Sequence, residues 1–192
     1  MTHPSVPYAN TAIANLRALE TDTIAVSGEH LVPDIYITWD AQNSGIEVKA
    51  TAGEGDLVTL NATVDGDTGW FSFNIGLGEG QFEVGDVLGL VLEVGDGTPF
   101  AFRASILSSD DGALHWTELA EKPALDGSPR VVTLLHTIAA HDPIIAARTF
   151  HTLVCNLPHH DFCLSIKDMR FFVVGAARGL SAAPETLTSY AV

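Results

Sequence analysis

Between Gly69 and Val94 the apolar side chains recur at every second position. Phe71, Phe73, Ile75 and Leu77 alternate with Trp70, Ser72 and Asn74, and Leu88, Leu90, Leu92 and Val94 alternate with Gly89, Val91 and Glu93. A strand turns successive side chains to opposite sides, so this period of two describes strands that bury one face. No long window shows the three- and four-residue spacing of an amphipathic helix. The chain therefore reads as all-β, and 192 residues suit one β-sandwich core.

Matching apolar faces suggests three hairpins. Val64 opposite Phe71 brings Ala62 to Phe73 and Leu60 to Ile75, with Gly66–Gly69 as the turn. Val94 opposite Phe100 brings Leu92 to Phe102 and Leu90 to Ala104. Ile106 opposite Leu114 brings Ala104 to Trp116 and leaves Arg103, Ser105, His115 and Thr117 on the other face. In a sandwich, successive strands can instead enter opposite sheets, and such pairs then meet only across the core. Near the end, Phe162, Leu164 and Ile166 share a face before the phase shifts to Met169, Phe171 and Val173, which predicts a bulge around Lys167 and Asp168.

The expected architecture is a two-sheet antiparallel β-sandwich of jelly-roll type over residues 22–175. A short N-terminal arm or helix occupies 1–21, where Ile13, Leu16 and Leu19 fall at helical spacing within Thr11–Glu20, and an irregular tail follows over 176–192.

Nine Lys and Arg against 24 Asp and Glu give a formal charge of −15. Phosphate backbones and anionic lipid surfaces are bound by clustered cations, so nucleic acid and membrane partners are not expected. No run approaches ~18 uninterrupted apolar residues, and the first twenty residues show no secretory signal. A cytoplasmic location is expected, with export by a non-classical route as the alternative.

Histidines concentrate in the last third, at 136, 141, 151, 159 and 160, without a His-x-His pair or a His-Glu-x-x-His helix. A metal-dependent enzyme with a histidine-lined site is the first alternative reading. Asp65-Gly-Asp67-Thr-Gly69 opens like a calcium loop, yet Trp70 and Phe71 stand where oxygen donors would continue, so it reads as a turn. A structural calcium ion held elsewhere by loop carbonyls is the one cofactor considered. Cys155 and Cys163 fall on opposite arms of what reads as a hairpin, with reduced thiols the expected state.

Trp70 faces away from the core beside Ser72 and Asn74. The paired register adds Asn61 and Thr63 to that face, and Tyr36, Arg103 and His115 join if their strands lie alongside. An aromatic plane surrounded by amides and hydroxyls suits sugar C–H faces and hydroxyls. The candidate ligand-binding residues are Trp70, Asn61, Asn74, Arg103 and His115, with Trp70 as the stacking platform. The second alternative is a structural module that forms a homo-oligomer through exposed aromatics.

Trp70-Phe-Ser-Phe-Asn74, then Phe82-x-x-Gly85-Asp86 leading into Val-Leu-Gly-Leu-Val-Leu-Glu-Val94, and a closing strand at Phe162–Val174 resemble the carbohydrate-binding, galactose-binding-like jelly-roll modules. The resemblance covers residues 22–174 in outline. It implies non-catalytic glycan binding, in some members with structural calcium.

Overall fold

The computed structural model describes residues 3–19, 23–53, 55–110, 112–145 and 150–176; the expected tail beyond Ala176 lies outside them. A helix α1 (Ser5–Asn15) runs into a 3-10 turn (Leu16–Ala18), and fourteen strands follow among the described residues. They are β1 (Thr23–Ile24), β2 (His30–Val32), β3 (Ile35–Trp39), β4 (Gly45–Gly53), β5 (Asp56–Asp65), β6 (Phe71–Glu79) and β7 (Val87–Gly97). After these come β8 (Phe100–Ala101), β9 (Arg103–Asp110), β10 (Ala113–Glu118), β11 (Ala124–Leu125), β12 (Arg130–Thr137), β13 (Phe150–Asn156) and β14 (Phe162–Val174).

The strands form two six-stranded sheets, in the orders β1-β4-β5-β14-β7-β12 and β10-β9-β13-β6-β3-β2, with β8 and β11 as a separate two-stranded ribbon. Leu60, Leu90, Leu92 and Phe171 of the first sheet and Ile37, Phe73, Ile75 and Leu153 of the second are buried in one core. Each such side chain stabilises the fold by roughly 1.5–3 kcal/mol.

Only one of the three hairpins forms. β5 and β6 belong to different sheets, as do β7 and β9, so Leu60 and Ile75, or Leu90 and Ala104, are not ladder partners. Alternation identifies which side chains are buried, and two strands facing each other across a core satisfy it as well as two neighbours do. β9 and β10 do pair, but Thr117 lies opposite Ile106 and Trp116 opposite Leu107. This odd shift in register reverses β10. Thr117 is buried, whereas Leu114 and Trp116 stand 63% and 52% exposed on the outer face.

The phase change in β14 is a break in register against β7, between Leu164 and Asp168, as the sequence suggests. Cys155 lies in β13 of the second sheet and Cys163 in β14 of the first; both thiols are free, and they do not oppose each other in a hairpin. Complete burial pushes the Cys155 thiol up to about 12.

The helix starts and ends earlier than Thr11–Glu20. It packs on β6 and β14 through Ala9, Ala12 and Ile13. Asn10 holds it there: its amide donates to the Phe171 carbonyl at 2.8 Å and its Oδ1 accepts from the Phe171 N–H at 3.0 Å. Beside it, Gly78 adopts φ +68°, and a Cβ there would stand 2.8 Å from the Tyr8 ring, so both its backbone and its neighbour favour glycine. Among the described residues no helix is long and apolar enough to cross a membrane.

Candidate functional site

The outer face of the second sheet carries a groove of about 410 Å³. Pairing across four strands assembles the face that surrounds it. One row runs Arg103, Asn156, Ser72, Thr38, and the next runs Ser105, Val154, Asn74, Tyr36. A third brings Trp116 and Leu107 beside Thr152 and Gly76. Trp70, one residue before β6, closes the opposite corner with its indole 53% exposed. β10 and β6 are three strand spacings apart, ~14 Å, so the two indoles are separated by far more than one pyranose ring.

The floor is polar but internally satisfied. Asn74, 2% exposed, donates to the Ser72 Oγ at 3.1 Å, the Ser72 carbonyl at 3.2 Å and the Tyr36 carbonyl at 3.3 Å. These bonds hold the floor rigid and leave the exposed Asn156 as the amide facing solvent. Tyr36 is half-buried, with His30 stacked on it at 5.4 Å between ring centroids. Burial pushes the Tyr36 phenol up, a hydrogen bond with Thr152 acting in the other direction. It therefore stays neutral and can both donate and accept.

The lining combines Tyr36, Trp70 and Trp116 with Leu107, Val154 and short polar side chains, and none of the residues lining it is charged. In a chain of net charge −15 this is a local exception.

Three of the five candidates from the sequence meet on this face: Trp70, Asn74 and Arg103. Asn61 does not. It lies on β5 of the first sheet, across from Lys49 and Cys163, in an open groove of about 470 Å³ that also holds Glu47, Thr63, Thr98 and Asp161. Its expected place beside Trp70 depended on the β5–β6 hairpin that does not form. His115 pairs with Ser108, a buried position on the core side of β9, so it too leaves the Trp70 face.

Trp116 was hidden by the opposite error, since an apolar residue on an alternating strand reads as core. Asp111-Gly112 is the sequence signal that corrects it. Asp-Gly favours a two-residue turn, and that turn requires Asp110 to face Ala113, the observed register.

The histidines of the last third do not gather into a site. His151 is fully buried; its Nδ1 lies 2.8 Å from the Ser108 Oγ, and its Nε2 2.7 Å from the Gly80 carbonyl. A carbonyl only accepts, so the proton is on Nε2 and Ser108 donates to Nδ1. His136 bonds Asp142 at 2.9 Å, while His159 and His160 are exposed. Among the described residues no three His, Cys, Asp or Glu side chains are grouped to hold a metal.

Burial holds the His151 imidazole below its ordinary 6.5, the Gly80 bond opposing this and the charge of His3 adding to it. Below that ordinary value the unfolded chain binds a proton that the folded chain does not. This contribution to stability is therefore complete above 6.5 and falls as pH drops toward the lower folded value. Urea unfolding of wild type and His151→Asn between about pH 7 and pH 5 should show a shallower acid loss in the variant. Equal slopes would remove His151 as the cause.

No family model matches the chain, and no curated protein sequence is similar to it. Solved structures are similar in fold. A structure described as CBM4 shares 18% identity and a TM-score of 0.53, over 84% of this chain and 99% of that one. A cyclase from Fischerella sp. TAU in complex with 4-(1H-indol-3-yl)butan-2-one gives 12% and 0.51, over 89% and 98%. The CBM22-1 xylan-binding domain of Paenibacillus barcinonensis Xyn10C gives 13% and 0.47, over 82% and 98%. With its two antiparallel sheets and the likeness to CBM4, the chain has the jelly-roll β-sandwich fold of carbohydrate-binding modules, a fold it also shares with the cyclase.

Proposed function

We propose that this protein binds a neutral oligosaccharide, without catalysis, in the groove of the second sheet. The observation that carries this reading is the pair of half-exposed indoles, Trp70 and Trp116, at the two ends of an uncharged groove. A soluble surface seldom leaves two tryptophans on one concave face without a ligand or partner to cover them. Sugar rings offer C–H faces to the indoles and hydroxyls to Asn156, Thr38 and the Tyr36 phenol. Arg103, at the end of the Asn156 row, adds a donor at the rim. The fold shared with CBM4 agrees with a glycan ligand.

A glycan array probed with wild type and Trp70→Ala tests the reading. Binding to one neutral class, weakened about ten-fold in the variant, is expected. No binding to any glycan, or binding indifferent to Trp70, would count against it. The second reading, self-association through the same face, is favoured by the 63% exposure of Leu114 beside Trp116. Sedimentation at increasing concentration separates the two, because only self-association makes the Trp70→Ala chain lighter on average than wild type.

A further inference from the structure

An exposed indole is a useful platform only if its backbone is fixed, and the structure shows how Trp70 is held. Its carbonyl accepts two hydrogen bonds, from the Thr68 Oγ1 at 2.7 Å and from the Asp40 N–H at 3.1 Å. Both donors are buried. Thr68 is 8% exposed and Asp40 6%. The Asp40 carboxylate accepts from the Asn43 amide at 2.8 Å, and its carbonyl accepts from the Ser44 Oγ at 2.7 Å and the Ser44 N–H at 3.1 Å. Between the two donors, a Cβ on Gly69 would stand 3.2 Å from Asp40 Oδ2, so the chain passes close to this loop before reaching Trp70.

We propose that Thr68 is a positioning residue of the groove, fixing the Trp70 peptide plane against the Asp40 loop and so the direction in which the indole leaves the backbone. The inference rests on the reading of the groove as a glycan site, and deepens it. Two bonds on one carbonyl define the plane of the Trp70–Phe71 peptide, whereas one permits it to rock. With the plane fixed, only the two side-chain torsions of Trp70 remain to be ordered when a sugar stacks on it. Without the Thr68 bond, the ligand must also order the backbone. Thr68 contributes no atom to the groove lining, so its effect on affinity passes through Trp70.

Thr68→Val removes the hydroxyl at nearly constant shape and leaves the Asp40 bond to satisfy the Trp70 carbonyl. Thr68→Ser restores the donor. The protein labelled with 5-fluorotryptophan has three tryptophans, giving three fluorine resonances assignable with Trp39→Phe, Trp70→Phe and Trp116→Phe. In Thr68→Val the Trp70 resonance should shift or split while that of the core Trp39 stays in place. Affinity for the glycan found on the array should fall about five-fold, and Thr68→Ser should recover both.

An unchanged Trp70 resonance with unchanged affinity would overturn the proposal. So would movement of all three resonances that serine fails to reverse, since Thr68 would then be a general structural residue. A wild type that binds no glycan defeats the reading of the groove instead, and the Trp70 resonance alone then decides whether Thr68 holds the indole.

Discussion

Phe71→Ala should lower the stability of this protein by about 3–5 kcal/mol, the largest loss expected of any single core substitution here. Phe71 is 1% exposed and joins both sheets: its ring meets Trp39 of β3 edge-on at 6.2 Å and Phe162 of β14 at 5.8 Å, and Phe162 in turn meets Phe100 at 5.8 Å. Truncation leaves a void beside rings from three other strands, whose backbones are tied into ladders and cannot collapse to fill it. Domains of this size are stable by about 5–15 kcal/mol, so the loss is about a fifth of the total or more. Urea unfolding should show the midpoint moving down with little change in slope, while Phe71→Leu costs about a third as much. A loss under about 1 kcal/mol for alanine would show that the cluster relaxes around the void.

Removing both groove indoles together, as Trp70→Ala with Trp116→Ala, should weaken glycan binding by about a hundred-fold. Covering the exposed half of an indole is worth about 1–2 kcal/mol after the cost of ordering it. Trp116 lies on β10 and Trp70 immediately before β6, three strand spacings or ~14 Å away, far enough for their effects to add. The separation also demands length from the ligand. Calorimetry with oligosaccharides of increasing size should show affinity rising until one chain reaches both tryptophans, and in Trp116→Ala the rise should stop earlier. Affinity independent of chain length would mean that only one indole is used.

Much of the core was legible because burial alone explains it. Phe71, Phe73 and Ile75 face inward as their alternation requires, and β14 changes phase near Lys167 as its apolar positions suggest. Sheet membership was not legible, since a buried face does not reveal whether its partner lies beside it or across the core. That single ambiguity displaced Asn61 to the wrong sheet. Trp70 and Asn74 could be placed from the chain because their neighbours Ser72 and Phe73 differ so sharply in character. Trp116 could not, because on β10 the chemistry runs against burial: a threonine faces in and a tryptophan faces out. Where a groove must present aromatics to a ligand, hydrophobicity no longer reports the interior.

The position of β14 has a consequence for synthesis. It lies between β5 and β7, inside the first sheet, yet it follows every other described strand in the chain. While the chain is emerging from the ribosome, β1-β4-β5 and β7-β12 are two fragments of one sheet with the strand between them still to be made. Each exposes an unpaired inner edge until Phe162–Val174 is free to insert. The order of translation therefore keeps the sandwich open until β14 has left the tunnel. A nascent chain stalled just before Phe162 holds both inner edges unpaired, the condition in which a chain is prone to aggregate.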